Sequence, residues 1–493
     1  MKITRPALAA VAAVAIAAGA VPAAGHFQAA ESSQGLVTVE RVQPAVSEST
    51  SSLPTSTETT PAATTNASAS TTAAAATAAA ATTGEVTETT QAKEPKDVAD
   101  IDGASVPDGD REGLLKQAKD ALKPEATGEE ADNMPTPDES DAESTDSEEL
   151  MEIKPLTAAP DDYKKNPQKW FDELKTFPGG EAITVHSKAM GRDIPVALIR
   201  AVDKDGNPIK APTYYLLNGA GGSEQNTDWL AMAPKTVRNV LGNEPVNVVI
   251  PMEGAFSYYV DWLSNPGEGK YFKGEQKWST FLAKEMIPSV ENYLDANGKR
   301  AVTGFSMSAT SSLLLAVHNP DMFDAVGSFS GCAATSTPLP NFFAGLTVNR
   351  GSAGAGNITP ENIWGPRGSD YNRYNDALVM ADNLVGESGV TKTKFYLSAG
   401  TGLAGQTDML SYLRENSGSA EALNAALTLQ IEGGAIEAAM NACTHDFNTK
   451  LNSLGVDTYF NKRPVGTHSW PLWRDDLKVS WEKVIRPALF ESE

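Results

Sequence analysis

Apolar runs and helical patterns alternate along the part of the chain that follows residue 155. Five apolar runs rich in β-branched and aromatic residues predict buried strands: TYYLLNG, VNVVIPM, KRAVTGFS, FDAVGSFSG and KTKFYLSAG. Segments with helical spacing of apolar residues, such as WSTFLAKEMIPSVENYL and SATSSLLLAVHNP, lie between them. This alternation predicts an α/β fold, a mainly parallel sheet with helices on both faces. In such a sheet the ligand crevice lies at the carboxyl ends of the strands.

The preceding segment has no such pattern. It contains Ser/Thr/Ala/Pro repeats such as TSTETTPAATTNASASTT and then the acidic run PTPDESDAESTDSEEL, whereas all 8 Trp and all 12 Tyr follow residue 155. Without large apolar side chains to bury, a segment cannot offset the entropy lost on ordering. We therefore predict a disordered, acidic low-complexity stalk over residues 31–155, either a solvated extension or a spacer that crosses a cell envelope. One α/β domain is predicted over residues 156–493.

The first 30 residues have the pattern of an export signal. Lys2 and Arg5 precede the apolar run ALAAVAAVAIAAGAV, and small residues suited to cleavage follow. The alternative is an uncleaved membrane anchor, but the run is rich in alanine and short for a span of about 20 residues. We therefore predict a signal peptide over residues 1–30 and a secreted protein of the cell envelope.

The charge distribution excludes a nucleic-acid partner. The formal net charge is −23, and −16 of it belongs to residues 1–155. No basic face or polybasic run is present to contact phosphates. The sequence also lacks a Cys/His array at metal-ligand spacing and a Gly-rich phosphate loop, so we predict neither a metal nor a nucleotide cofactor.

The run AVTGFSMSATSS places Gly304-x-Ser306-x-Ser308 between a predicted strand and a predicted helix. This is the context of a nucleophile elbow, with Ser308 in place of the usual second glycine. Small flanking residues allow the tight turn, and the N–H of Met307 would face a developing oxyanion. The alternative is that Met307 and its neighbours only pack in the core.

A serine nucleophile needs a base, and the chain has five histidines. His186 lies in a predicted edge strand followed by a turn, and His318 at the end of the helix after Ser306. His468 is the late histidine in a loop, which fits the chain order Ser, acid, His of α/β-hydrolases. Residue patterns leave the acid open among three candidates, Glu432, Glu437 and Asp408.

Six segments, in order and at similar spacing, resemble the secreted mycolyltransferases of the antigen 85 and corynebacterial types. They are YYLLNGAGG, VIPMEGAFSYYVDWLSNP, WSTFLAKEMIPSVENYL, VTGFSMSATSSLLLAVHNPDMFDAVGSFSG, NIWGP and GTHSWPLW. The resemblance implies an α/β-hydrolase fold and a Ser-Glu-His triad. It also implies transfer of mycolyl groups from trehalose mycolate lipids to cell-wall acceptors, namely trehalose mycolate, arabinogalactan or protein hydroxyls.

The resemblance also implies roles for individual residues. It makes Ser306 the nucleophile, His468 the base and Glu437 the acid, because IEAAMNACTHDF matches the acid helix of the family without a gap. The oxyanion amides would be those of Ala220 and Met307.

Two positions in the predicted substrate-binding site depart from the family pattern. The sugar-contacting Asp of trehalose-binding members is Asn218 here, and their Arg is Gly221. The aromatic run after VNVVIPM could line a substrate groove or pack beneath a loop. The predicted substrate-binding residues are Asn218, Gly219, Tyr259, Asp261, Trp262, Ser469 and Trp470.

The chain has two cysteines, Cys332 and Cys443. An even count in an exported chain suggests a disulfide, which would tie the predicted acid helix to the sheet, and the alternative is two buried thiols.

Two other functions would fit the predicted fold. One is an exported carboxylesterase or thioesterase with the same triad, and the other is a non-catalytic surface adhesin.

Overall fold

The computed structural model describes residues 149–352, 358–416 and 419–491. A nine-stranded sheet, in the order β1-β2-β3-β5-β4-β6-β7-β10-β11, runs through these residues. Its strands, with the separate β8–β9 hairpin, are β1 (Ile153–Pro155), β2 (Gly180–Ser187), β3 (Arg192–Ile199), β4 (Thr213–Leu216), β5 (Asn247–Pro251), β6 (Arg300–Phe305), β7 (Ala325–Phe329), β8 (Val385–Gly386), β9 (Gly389–Val390), β10 (Lys394–Ala399) and β11 (Thr458–Lys462).

The sheet is antiparallel at one end and parallel through the rest. Strands β1, β2 and β3 pair antiparallel, and β3 pairs antiparallel with β5. From β5 across β4, β6, β7 and β10 to β11 every pairing is parallel. The five apolar runs correspond to the parallel strands β4, β5, β6, β7 and β10, so the predicted mainly parallel α/β-hydrolase sheet is confirmed.

Helices cover both faces of the sheet. They are α1 (Trp170–Leu174), α2 (Trp229–Met232), α3 (Pro234–Leu241), α4 (Trp278–Thr280), α5 (Ile287–Leu294), α6 (Met307–His318), α7 (Pro338–Gly351), α8 (Pro360–Trp364), α9 (Asp370–Tyr374), α10 (Ala377–Met380), α11 (Leu410–Asn416), α12 (Ser419–Leu427), α13 (Gly434–Leu454), α14 (Trp470–Ser480) and α15 (Arg486–Phe490). The π-helical segments Phe281–Met286, Thr428–Gly433 and Trp481–Ile485 join consecutive helices, and short 3₁₀ turns occur at Ser223–Gln225, Ala381–Leu384 and Gln406–Asp408.

The side chains of the central strands alternate between two hydrophobic cores, one on each face. On β4, Tyr215 belongs to the core that contains α5 and α6, whereas Tyr214 and Leu216 belong to the core that contains α1, α2 and α14. Both faces are thus covered, which explains why the strand sequences are continuous apolar runs rather than alternating ones.

The ordered domain begins before the predicted residue 156. Strand β1 lies within the segment assigned to the stalk, and its Ile153 is opposite Val185 of β2. The N–H of Met151 also donates to Ser289 Oγ at 2.8 Å. Because β1 covers β2, the strand that carries His186 is internal, and the prediction of an edge strand there was wrong.

The predicted signal peptide over residues 1–30 lies outside the described residues. The same holds for most of the predicted stalk. Within the described ranges no helix combines the length and the apolar character needed to span a bilayer.

A disulfide joins Cys332 to Cys443, as the cysteine count suggested. Cys332 follows β7 and Cys443 lies on α13, so the bridge fixes this helix to the loop at the carboxyl end of the sheet.

Candidate active site

Ser306 lies on the sharp turn between strand β6 and helix α6. Its φ of 56° is in the left-handed region, which a serine adopts only where its surroundings hold it there. One such contact is its N–H, which donates to the carbonyl of Phe329 at 2.9 Å. Gly304 has to be glycine, because a Cβ there would lie 2.0 Å from the carbonyl oxygen of Ser308. This geometry is that of a nucleophile elbow.

Ser308 takes the position where this motif usually has its second glycine. Its hydroxyl accepts a hydrogen bond from the N–H of Phe305 at 3.0 Å and donates to the carbonyl of Leu217 at 3.2 Å. The side chain therefore ties the turn to the end of the neighbouring strand. A serine is accommodated here because both of its hydrogen bonds are satisfied while it is fully buried.

His468 lies between strand β11 and helix α14, with its ring beside Ser306. Its Nε2 is 2.7 Å from Ser306 Oγ, and its Nδ1 is 2.8 Å from Glu437 Oε2. An ionised carboxylate only accepts hydrogen bonds, so Nδ1 carries the proton and Nε2 accepts from the serine hydroxyl. The backbone N–H of His468 donates to the carbonyl of Gly433 at 3.1 Å, and its ring packs edge-on against Trp473.

Glu437 is fully buried on the first turn of helix α13. While Oε2 faces His468, Oε1 accepts from Ser330 Oγ at 2.8 Å and from the N–H of Gly400 at 2.6 Å. Ser330 follows β7 and Gly400 follows β10. The carboxyl ends of two neighbouring strands thus fix the carboxylate that orients the imidazole.

The two other candidate acids have different partners. Asp408 is fully buried, and its Oδ2 accepts from the N–H of Gly405 at 2.8 Å. Glu432 forms an ion pair with Arg350, with Oε1 and Nη2 3.6 Å apart. Of the three carboxylates, the structure brings Glu437 to His468.

The predicted oxyanion residues, Ala220 and Met307, both lie in the wall beside Ser306. Met307 is the first residue of α6, where a backbone N–H has no partner within the helix. Residues of the loop after β5 contact both Ala220 and Met307. The N–H of Phe256 donates to the carbonyl of Ala220 at 2.8 Å, and the N–H of Tyr258 contacts Met307 Sδ at 3.3 Å.

This loop is strained, because Phe256, Tyr258 and Tyr259 have φ values of 63°, 57° and 49°. Such conformations concentrate at functional sites, where the surrounding structure holds them in place.

Two cavities open beside Ser306 and His468. The larger, of about 490 Å³, lies against α14 and the loops after β4 and β6. The smaller, of about 150 Å³, lies between α7 and α13 and has a mainly apolar wall that includes Phe343, Ala344 and Met440. The serine and the histidine line both cavities, so a reacting group at Ser306 can contact two separate spaces.

The sequence model of the Esterase family matches residues 187–482, more than half of the chain. This chain belongs to the esterase family. It is 28% identical over 303 residues to the diacylglycerol acyltransferase/mycolyltransferase Ag85A of Mycobacterium leprae, a match that covers 60% of this chain and 80% of the relative. It is 29% identical over 308 residues to the diacylglycerol acyltransferase/mycolyltransferase Ag85B of Mycobacterium avium, covering 61% and 80% of the two chains.

Among solved structures, the crystal structure of Mycobacterium tuberculosis MPT51 (FbpC1) aligns at 22% identity with a TM-score of 0.45, covering 63% of this chain and 98% of that one. The similarity to mycolyltransferases predicted from the motifs is confirmed by the curated relatives. The prediction of an enzyme of ester chemistry is confirmed by the family.

Three of the predicted substrate-binding residues line the larger cavity of this esterase: Gly219, Ser469 and Trp470. Gly219 packs so closely that a Cβ would lie 2.5 Å from the ring of Phe305. Trp470 packs against Phe305, with ring centroids 4.7 Å apart and ring planes tilted by 56°.

The other four predicted substrate-binding residues do not line either cavity. The amide of Asn218 is buried and bonded to the carbonyl of Pro251 and the N–H of Trp229. Tyr259 and Trp262 are buried in the core, and their polar atoms donate to backbone carbonyls. The carboxylate of Asp261 binds the hydroxyl and the N–H of Thr280. These contacts engage the polar groups of all four inside the protein, and their role in substrate binding stays a prediction.

The structure adds residues that the sequence patterns did not single out. Ser330 and Gly400 hold Glu437, and both follow predicted strands, a position that could have marked them. Arg350 lines both cavities from the end of α7, and no sequence motif marks it. Glu432, considered as the acid, lines both cavities too, and burial raises the pKa of its carboxyl while Arg350 opposes this.

Proposed function

We propose that this esterase is a secreted serine acyltransferase that moves mycolyl groups from trehalose mycolate lipids to hydroxyl acceptors of the cell envelope. The observation that carries the proposal is the continuous hydrogen-bond chain from Ser306 Oγ through His468 to Glu437, at 2.7 and 2.8 Å. The relatives named diacylglycerol acyltransferase/mycolyltransferase support the acyl group and the transfer.

In the first half-reaction His468 removes the proton of Ser306 as its Oγ attacks the ester carbonyl. Glu437 keeps Nδ1 protonated and stabilises the imidazolium. The N–H groups of Ala220 and Met307 bind the oxyanion. The ester C–O bond then breaks, the proton passes from His468 to the leaving sugar oxygen, and the acyl group remains on Ser306.

In the second half-reaction an acceptor hydroxyl gives its proton to His468 while its oxygen attacks the acyl-enzyme. The bond from the acyl carbon to Ser306 Oγ breaks, and the proton returns to that oxygen. The two cavities suit this sequence, since the smaller apolar space can take the acyl carbons next to the ester and the larger space the sugar or acceptor.

The test combines labelling with product analysis. Wild type should react with a fluorophosphonate at Ser306 and transfer acyl groups from trehalose monomycolate to added acceptors, read by mass. Ser306→Ala should not label and should lose activity by several orders of magnitude while its melting temperature is kept. Turnover near the wild-type rate in this variant would contradict the assignment of Ser306 as the nucleophile.

The esterase family favours a second candidate, an exported carboxylesterase or thioesterase with the same three residues. In that case water takes the acyl group. Release of free acid, with no transferred product at any acceptor concentration, would support it. If Ser306 of the folded wild-type protein does not react with the fluorophosphonate, the result would instead favour the non-catalytic adhesin.

A further inference from the structure

One charged pair faces the site. Apart from His468, the described residues that line the two cavities include just two side chains with a formal charge, Arg350 and Glu432, and both line both cavities. The remaining wall is apolar or carries neutral polar groups. The pair therefore lies where the cavities meet at Ser306.

The Glu432 carboxylate has unused hydrogen-bonding capacity. Its side chain is 10% exposed, and its contact with Arg350 is 3.6 Å, longer than a hydrogen bond. No hydrogen-bond donor reaches it from the described parts of the chain, although buried carboxylates are normally satisfied. Its oxygens are therefore open to a donor from a bound molecule.

The pair has one fixed and one adaptable member. Glu432 precedes Gly433, whose carbonyl accepts from the backbone N–H of His468, so the backbone that carries the carboxylate is held next to the base. Arg350 ends helix α7, and its side chain is 54% exposed. A ligand can thus displace the guanidinium without disturbing the buried carboxylate.

The two positions where trehalose-binding members carry Asp and Arg do not supply a second charged group here. At Gly221 a Cβ would lie 2.3 Å from Thr227 Oγ1 and 2.8 Å from Gln225 Oε1, so a side chain there would require these two side chains to move. The amide of Asn218 is buried and engaged with backbone groups. Glu432 and Arg350 are therefore the charged groups that a polar acceptor can contact in this site, and the other polar side chains in its walls are neutral.

We propose that Glu432 and Arg350 form the subsite for the acyl acceptor, and that this acceptor is a neutral polyhydroxylated molecule such as a sugar or glycerol. The inference rests on the proposed function and names the residues that select its acceptor. The carboxylate accepts from adjacent hydroxyls and the guanidinium donates to their oxygens. Arg350 disfavours an ammonium acceptor, and Glu432 disfavours a phosphate or carboxylate, which leaves an uncharged polyol.

The experiment uses p-nitrophenyl butyrate as donor and compares glycerol and trehalose with 1-butanol as acceptors. The ratio of ester product to free butyrate is measured by mass spectrometry for wild type, Glu432→Gln and Arg350→Gln. Both variants should lower the ratio for glycerol and trehalose by about tenfold or more, the loss of one hydrogen bond to a charged group. The ratio for 1-butanol should change much less.

A matched control is Glu244→Gln, which removes a glutamate–arginine pair with Arg486 away from both cavities. It should keep the wild-type ratios. Fluorophosphonate labelling of Ser306 separates the two hypotheses. Wild type that does not label overturns the proposed function, and the subsite with it.

Three further outcomes overturn the subsite while leaving a serine esterase in place. In the first, wild type labels but transfers no acyl group to either polyol. In the second, Glu432→Gln and Arg350→Gln keep the wild-type polyol ratios. In the third, labelling falls as much as transfer does, which would mean that the pair only supports the geometry of His468.

Discussion

At the scale of single residues, Glu437 is distinguished by the number of groups that hold it. His468, Ser330 and Gly400 all donate to its two oxygens. Glu437→Gln should lower kcat by about 10⁴-fold, because an amide facing Nδ1 favours the wrong tautomer of the imidazole. The melting temperature should change little, since the amide oxygen can still accept from Ser330 and Gly400. Ester hydrolysis and thermal melting measure the two effects.

A Glu437→Gln enzyme within tenfold of wild type would show that another carboxylate orients His468. Asp408→Asn would then be the next variant to measure, because Asp408 Oδ1 lies 3.5 Å from Ser469 Oγ, next to the base.

Residue patterns alone were enough for Ser306 and His468 but not for the acid. The serine has a local signal, the small residues of a tight turn, and the histidine follows from chain order. Three carboxylates remained because which one reaches Nδ1 depends on where helix α13 packs, and the family resemblance chose Glu437. Arg350 could not be found, since its place beside the site depends on tertiary packing of α7.

At the scale of elements, the parallel strands were predictable because each is buried on both faces and reads as an apolar run. The loop after β5 was not. Its left-handed residues Phe256, Tyr258 and Tyr259 are aromatic, and aromatic side chains do not indicate such conformations. Contacts with Ala220 and Met307 hold the loop, and these contacts come from elsewhere in the chain.

The start of helix α2 should make stability depend on pH. Asp228 caps this helix by accepting from the N–H groups of Leu230 and Ala231. Burial raises the pKa of its carboxyl from 3.8 to about 7. Between these values the folded state keeps a proton that the unfolded state has released, so this group lowers stability as the pH rises. Between pH 5 and pH 8 the free energy of unfolding, measured with urea, should fall less in Asp228→Asn than in wild type. The asparagine keeps the cap but does not titrate.

The control for this prediction is Asp203→Asn. Asp203 also accepts from local backbone N–H groups, but it is exposed and hydrogen bonds with Asn207 lower its pKa. Its contribution therefore changes only at acid pH, and the variant should keep the wild-type difference between pH 5 and pH 8. If the free energy of unfolding falls equally in wild type and Asp228→Asn, Asp228 does not titrate in this range.

At the scale of the whole molecule, two cores and one disulfide hold the site. The sheet separates the cores, and Ser306, Glu437 and His468 all meet at the carboxyl ends of its parallel strands. Composition predicted where the apolar domain lies, but not strand β1, the first strand among the described residues. Strand β1 has three residues, two of them Lys154 and Pro155, so it carries no apolar pattern that could separate it from the acidic segment.

Two truncations test where the domain begins. A chain starting at residue 149 should melt like a chain starting at residue 31 and hydrolyse esters at the same rate, because the removed segment has few apolar side chains to bury. A chain starting at residue 156 lacks β1, the hydrogen bond from Met151 to Ser289, and the bond from the N–H of His186 to the carbonyl of Glu152. Each backbone hydrogen bond contributes about 0.5–1.5 kcal/mol, so the free energy of unfolding should fall by about 2 kcal/mol or more.

Removing β1 also exposes an edge of β2, which favours association between chains. Urea unfolding and light scattering of the three chains measure both effects. If the chain from 156 is as stable as the chain from 149, β1 contributes nothing to folding and the domain begins at residue 156. If the chain from 149 is less stable than the chain from 31, the acidic segment takes part in the fold.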